Sequence, residues 1–255
     1  MIERLAKNPL SLAALALVAA LIGAGAFWLF QRAVPSSLAT VDRGRMEVVV
    51  HDYILAHPEI LPEAMQKLQE RETAQQQSEA VKVVAANASA ILQPVGSAWA
   101  GNPKGDVTVV EYFDYNCGYC RASLPTIAQL IASDPQVKVV YRELPILSDE
   151  SGVAAKLSLA AADQGKFRAF HDALYAGGPL TSESMAAAAK AAGLDMAKAS
   201  AFAPRAQAEI SSNLDLAHKM GMTGTPSWVI GNKIVSSALP LEELQKAVAA
   251  ARLKG

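Results

Sequence analysis

The chain has 255 residues, room for one large domain or a medium domain with appendages. Its 23 Lys and Arg stand against 24 Asp and Glu, a formal charge of -1, so bulk electrostatics recruit neither nucleic acid nor an acidic surface. With 2 cysteines in the whole chain, a disulfide-stapled scaffold is excluded.

From Leu10 to Phe30 there is no charge and a single polar side chain, Ser11. At ~1.5 Å of rise per residue such a run spans a hydrocarbon core, so residues 1–31 read as an N-terminal transmembrane anchor with Trp28 at the interface. A cleaved signal peptide is the alternative, with Ser37-Leu38-Ala39 as a small-residue site, but its apolar region is usually about 7 to 15 residues long. Charge leaves the orientation open: Arg4 and Lys7 precede the run, and Arg32, Arg43 and Arg45 follow it. Pro35, Ser36, Ser37 and Gly44 mark residues 32–45 as a linker. Met46, Val49, Val50, Tyr53 and Ile54 then share one helical face, which should end before Pro58. A second helix carries Ile60, Leu61, Ala64, Met65 and Leu68, stays polar from Glu70 to Gln77, and resumes with Val81, Val84, Ala88 and Ile91. Because a helix polar all round bridges packed regions, residues 46–93 read as a helical stalk and oligomerisation segment. The same pattern also allows these helices to pack on the main domain.

Pro94 and the turn cluster Gly101-Asn102-Pro103-Lys104-Gly105-Asp106 introduce the domain expected over residues 94–255. Val107–Phe113 is a β-rich apolar run, the cysteines follow, and Leu124, Ile127, Ala128 and Ile131 recur at helical spacing. Val137–Tyr141 is the next strand, ended by Pro145. From about 148 to 222 the spacing of Leu157, Phe167, Phe170, Leu174, Met185, Leu194, Phe202, Ile210 and Leu214 predicts several short helices. Strands at Ser227–Ile230 and Lys233–Val235 flank Gly231-Asn232, a hairpin signal, and a last helix covers about Leu241–Leu253. The fold class is α/β: this order is that of a thioredoxin fold with an inserted helical domain.

Cys117-Gly118-Tyr119-Cys120 lies where a strand passes into a helix, the context of a redox C-x-x-C. Free N–H groups and the positive end of the helix dipole stabilise a thiolate there, so Cys117 is expected to be the exposed nucleophile. Cys120, one turn inward, is placed to attack the mixed disulfide that Cys117 forms. A zinc half-site is disfavoured, because His51, His57, His171 and His218 have no ligand spacing to the pair. Glu111, in an apolar strand six residues before Cys117, is a candidate to relay the proton of Cys120; an outward-facing strand acid is the alternative. Thr225-Pro226 opens the third strand of the fold, where a cis peptide would leave backbone free to pair with an extended substrate. Tyr119, between the cysteines, is grouped with Thr225 and Pro226 as a substrate-facing residue.

The stretch Gly101-Asn102-Pro103, then Val107-Thr108-Val109-Val110-Glu111-Tyr112-Phe113-Asp114-Tyr115-Asn116-Cys117-Gly118-Tyr119-Cys120, with Gly224-Thr225-Pro226 downstream, resembles the DsbA-like thiol-disulfide oxidoreductases of the bacterial envelope. The helices around His51-Asp52-Tyr53-Ile54-Leu55-Ala56-His57-Pro58-Glu59 resemble the N-terminal segment of the ScsC, suppressor-of-copper-sensitivity, type. The resemblance carries the nucleophile onto Cys117, the resolving thiol onto Cys120, the acid onto Glu111 and the cis-proline loop onto Thr225 and Pro226. It implies a periplasmic protein-folding helper and fixes the orientation that charge leaves open, so with the apolar run the expected location is the inner membrane, single-pass, with the catalytic domain in the periplasm. Its partners would be unfolded or wrongly disulfide-bonded envelope proteins, a membrane redox partner that resets the pair, and further copies joined through residues 46–92. DsbA has Pro-His between its cysteines, whereas Gly118-Tyr119 is the dipeptide of the isomerase DsbC. The expected activity is therefore disulfide isomerisation or reduction, with no cofactor and no resident metal. A DsbA-type dithiol oxidase and a copper(I)-binding copper-tolerance protein, which two soft thiolates would suit, are the alternatives.

Overall fold

The computed structural model describes residues 9–33 and 37–253. The chain divides into two compact units, Met1–Gln69 and Glu70–Gly255. In the first unit lie helix α1 (Pro9–Ala33), helix α2 (Ser37–Ala56) and the start of helix α3 (Ile60–Ala86). Among the described residues no helix is long and apolar enough to cross a membrane. The transmembrane anchor expected over residues 1–31 therefore finds no support among the described residues. Residues 1–8 of that segment, and 34–36 of the expected linker, lie outside the described residues. The rest of that linker is helical from Ser37 onward, Gly44 notwithstanding, because a single interior glycine costs a helix only about 1 kcal/mol. In α1 and α2 large apolar side chains, among them Leu21, Phe27, Trp28, Met46, Val49 and Tyr53, are exposed.

The second unit is built on five strands: β1 (Trp99–Gly101), β2 (Val107–Phe113), β3 (Val137–Glu143), β4 (Ser227–Ile230) and β5 (Lys233–Val235), in the spatial order β1-β3-β2-β4-β5. Strands β2 and β3 run parallel and are joined by helix α5 (Gly118–Ser133), while β4 and β5 form an antiparallel hairpin against β2. This is the expected thioredoxin-type arrangement. Gly231 takes φ +55 in the two-residue hairpin turn, a conformation glycine adopts without steric cost. Strand β1 has no counterpart in the sequence reading. It ends at Gly101, where φ is +81 and a Cβ would stand 2.5 Å from the Val137 carbonyl oxygen.

Four helices fill the insertion: α6 (Asp149–Asp163), α7 (Phe167–Ala176), α8 (Ser182–Ala191) and α9 (Met196–Lys219). Their starts follow from local chemistry: Ser148, Thr181 and Asp195 each accept a hydrogen bond from a first-turn backbone N–H. Helix α10 (Leu241–Arg252) closes the chain against α5 and β2.

Both sheet faces are covered, which is why β2 reads as a continuous apolar run rather than an alternating one. Val109 and Phe113 point into one core with Leu130, Phe170 and Leu244, whereas Val110 and Tyr112 point into a second with Leu216, Met220 and Val229. The second core also contains Ala80 and Val84 of α3 and Ile91 of helix α4 (Ala88–Leu92). Residues 70–92 therefore do not extend a stalk, as the reading of 46–93 had it: they roof a sheet face whose apolar side chains would otherwise meet water. The buried Arg142 fastens this roof, donating from Nε to the Ile91 carbonyl at 3.2 Å and from its terminal nitrogens to the Gln93 carbonyl and Glu209. Ile91→Ala should accordingly cost about 2–5 kcal/mol, read as a lowered urea midpoint at unchanged slope; a loss below 1 kcal/mol would mean that α4 only rests on the sheet.

Candidate active site

Strand β2 carries the reacting groups to one end of the sheet. Cys117 is the N-cap of α5, with extended backbone, and its Sγ accepts from the Cys120 N–H at 3.3 Å. The Cys117 thiol donates to the Thr225 carbonyl at 3.2 Å, and the Thr225–Pro226 peptide bond is cis. Cys117 thus faces the backbone that precedes the proline, the position from which an extended substrate could be presented. It is less open than the sequence suggested, 6% exposed against 1% for Cys120, because the loop at Thr225 lies over the sulfur. Both cysteines are free thiols. Tyr119, in the first turn of α5, is 70% exposed and stands outward beside them.

Glu111 lies in β2 opposite Tyr141 of β3 and Trp228 of β4 and is buried, so the outward-facing alternative does not hold. Its Oε1 has no hydrogen-bond partner. Burial, reinforced by negative charge on Cys117, raises its pKa from the ordinary carboxylate value to about 8. Burial, then the Glu111 carboxylate, pushes the Cys120 thiol far up. Each group thus favours its neutral form, and a charge on Glu111 raises the cost of ionising Cys120. Thr225 Oγ1 is likewise buried without a partner, on the residue whose carbonyl accepts from the Cys117 thiol.

Three features escaped the sequence reading. Asp114, buried between Glu111 and Cys117 in the chain, accepts from the N–H groups of Asn116 (2.8 Å), Ile146 (2.9 Å) and Leu147 (3.0 Å) and from the Ser151 hydroxyl (2.7 Å). An Asp two residues ahead of an amide it can cap is an Asx-turn signature, the one local signal available. A buried polar chain runs from the Ser158 hydroxyl through the Tyr115 hydroxyl (2.9 Å) to His171 Nδ1 (3.1 Å). Burial first, and Arg168 next, lower the His171 pKa to about 3, which makes it a neutral core histidine among Phe113, Tyr141 and Tyr175. Finally, Ile146 and Leu147 are 45% and 50% exposed at the rim, where Leu144, Ile146, Leu214, Met222 and Thr223 help line a cavity of about 390 Å³. Among the described residues no group of three or more His, Cys, Asp or Glu could hold a metal ion.

A thioredoxin fold with a C-x-x-C cap on the first helix, a cis-proline loop against the first sulfur and a buried acid beside the second defines a class: the thiol-disulfide oxidoreductases. Residues 108–249 match the DSBA-like thioredoxin domain, and the chain belongs to that family. Residues 42–75 match the N-terminal domain of copper resistance protein ScsC. Among solved structures, a thioredoxin-like oxidoreductase from Silicibacter pomeroyi is 40% identical, with a TM-score of 0.61 over 65% of this chain and 97% of that one. A periplasmic thioredoxin-like protein from Salmonella enterica serovar Typhimurium is 27% identical, with a TM-score of 0.57 over 65% and 95%. Proteus mirabilis ScsC in a transitional conformation is 25% identical, with a TM-score of 0.61 over 85% and 99%. A Na(+)/H(+) antiporter, NhaA 1, from Salinispora arenicola is 30% identical over 156 residues, but the chain spans only 24% of that protein's length.

The Glu111 pKa fixes a sign. Between about 4.5 and about 8 the folded protein holds a proton that the unfolded chain releases, so stability is highest at the acid end and falls as pH rises through that window. Glu111→Gln should flatten this slope and make the reduced protein more stable than wild type at pH 8.5, by on the order of 4 kcal/mol. Urea unfolding of the two reduced proteins from pH 5 to 8.5 checks it; parallel pH dependences would contradict a protonated Glu111.

Proposed function

We propose that this protein is a periplasmic disulfide isomerase and reductase working through Cys117 and Cys120. The observation that carries the proposal is the pairing of a buried, strongly proton-retaining Cys120 with Glu111, behind a Cys117 that faces the Thr225 carbonyl. The Cys117 thiolate attacks one sulfur of a substrate disulfide, forming a mixed disulfide and expelling the other sulfur as a thiolate. Once Cys117 is tied up as a disulfide, its negative charge no longer opposes ionisation of Glu111, and the carboxylate is freer to act as a base. Cys120 then gives its proton to Glu111 and attacks Cys117 Sγ, which releases the reduced substrate and leaves the Cys117–Cys120 disulfide. A reductant must return two electrons to reset that pair.

Isomerisation is the competing exit. Because Cys120 parts with its proton reluctantly, the mixed disulfide persists long enough for the displaced substrate thiolate to attack a different substrate sulfur and, in turn, free Cys117 with no net redox change. Gly118-Tyr119 supports this balance, since it puts no histidine beside the nucleophile. The apolar rim of Ile146, Leu147 and Tyr119 suits unfolded chains as substrates. A periplasmic location is supported by the Salmonella relative, and attachment of α1 to a membrane by its exposed Leu21, Phe27, Trp28 and Phe30.

Cys117→Ser should abolish insulin reduction, whereas Cys120→Ser should accumulate mixed disulfides with envelope proteins, visible on non-reducing gels. A Cys117→Ser protein that turns over, or a Cys120→Ser protein that traps nothing, would reverse the roles. The disulfide should also be less oxidising than that of DsbA, about -120 mV; a glutathione titration giving a value as high would favour the oxidase.

Self-association through the first unit belongs to the same proposal. The exposed Met46, Val49, Val50, Tyr53, Leu61 and Met65 need cover, and a second binding point raises the effective concentration at which a misfolded chain is held. The ectodomain from Arg32 should sediment as an oligomer and refold scrambled ribonuclease, while a fragment from Glu70, which keeps the roof of the second core, should be monomeric and lose most isomerase activity. A monomeric ectodomain, or equal isomerase activity in the two proteins, would exclude this role.

A further inference from the structure

Asp114 stands at the junction of three segments that the exchange reaction needs in register. Its Oδ1 takes the Asn116 N–H, in the turn that leads to Cys117, and the Ser151 hydroxyl at the start of α6. Its Oδ2 takes the consecutive N–H groups of Ile146 and Leu147. Its main-chain carbonyl accepts from the Cys117 N–H at 3.0 Å and from the Tyr175 hydroxyl at 3.2 Å. The amides on both sides of the nucleophile's peptide bond, those of Asn116 and Cys117, are thus held by one residue. The same carboxylate explains why two large apolar side chains sit at the rim: with their amides drawn inward to Asp114, Ile146 and Leu147 are left with side chains facing water.

We propose that Asp114 is a positioning residue for thiol-disulfide exchange, fixing Cys117 at the mouth of α5 and the Ile146–Leu147 rim to a single buried carboxylate. The inference rests on the exchange activity proposed above. Four donors converge on two carboxylate oxygens with no lone pair to spare, so no neutral side chain reproduces the arrangement. Asparagine offers one acceptor oxygen and turns an NH2 toward donors. Alanine leaves all four donors without their partner, at about 1–3 kcal/mol for each that stays buried. Ser151 and Asn116 each lie on separate elements, and losing the carboxylate uncouples the nucleophile from both the rim and the helical insertion.

The test compares wild type, Asp114→Asn and Asp114→Ala with Arg252→Ala, which removes the ion pairs of Arg252 with Asp106 and Asp134 away from the site and serves as a stability control. Two quantities are read below the melting temperature of every variant: the rate of mixed-disulfide formation with an activated cysteine peptide, and the equilibrium constant of the Cys117–Cys120 disulfide with glutathione. Asp114→Ala should slow the first at least tenfold and shift the second at least threefold. Asp114→Asn should fall between it and wild type, and carries the test if the alanine variant does not fold. Arg252→Ala should lower the melting temperature and leave both quantities unchanged. Folded Asp114 variants with wild-type rate and equilibrium would overturn the positioning role alone. A wild-type protein that exchanges with neither peptide nor glutathione would overturn the exchange activity and the positioning role together.

Discussion

An unpaired carboxyl group in the interior of a sheet is costly when ionised, and this protein places one in its central strand. Glu111 lies between Tyr141 and Trp228, its Oε1 without a donor, and its neutral form is favoured until about pH 8. A well-packed apolar residue there would stabilise the sheet more. In the proposed mechanism the carboxyl serves as a proton acceptor whose charged form is disfavoured by burial, and disfavoured further by negative charge on Cys117 until Cys117 enters a disulfide. The proposed sequence, attack by Cys117 before deprotonation of Cys120, agrees with that electrostatic order.

The rest of the second unit makes this group possible. Water is kept from Glu111 by the aromatic and aliphatic core on its own face, and the strand that bears it lies between two cores. The second of these is closed partly by Val84 and Ile91, from helices that precede the thioredoxin elements in the chain, and Arg142 pins them with hydrogen bonds to main-chain carbonyls. Breaking such a buried, paired cation costs about 3–5 kcal/mol. The N-terminal extension therefore does two things: residues 70–92 complete the catalytic unit, and the first unit presents apolar surface.

Much of this was legible from the residues alone. The strand, C-x-x-C, helix order located Cys117 and Cys120 because a period-2 or continuous apolar run gives way at once to a helical period there, and Gly231-Asn232 announced its hairpin. The direction of Glu111 was not legible, because a strand covered on both faces has no alternation from which to read inside and outside. The roof over 70–92 was misread for a related reason: Ala80, Val84 and Ile91 make a sparse stripe whose meaning lies in Val110 and Tyr112, two segments away. Asp114 was invisible as a hub because its partners Ile146, Leu147 and Ser151 lie 32, 33 and 37 residues further on. Strand β1, three residues ending in glycine, is too short for any period.

Proton transfer from Cys120 to Glu111, as proposed, belongs to the resolution step, and that step can be followed directly. Mixed disulfide preformed on Cys117 with a fluorescent peptide thiol can be followed by stopped flow as Cys120 expels the peptide, over pH 5 to 9. The rate should climb through an inflection lying below about 8, since burial still raises the Glu111 pKa but the added push from negative charge on Cys117 is absent in the mixed disulfide, and Glu111→Gln should remove the inflection and slow resolution at neutral pH at least tenfold. A Glu111→Gln profile that overlays wild type would mean that Cys120 loses its proton directly to water, and that the buried acid plays no part in the chemistry.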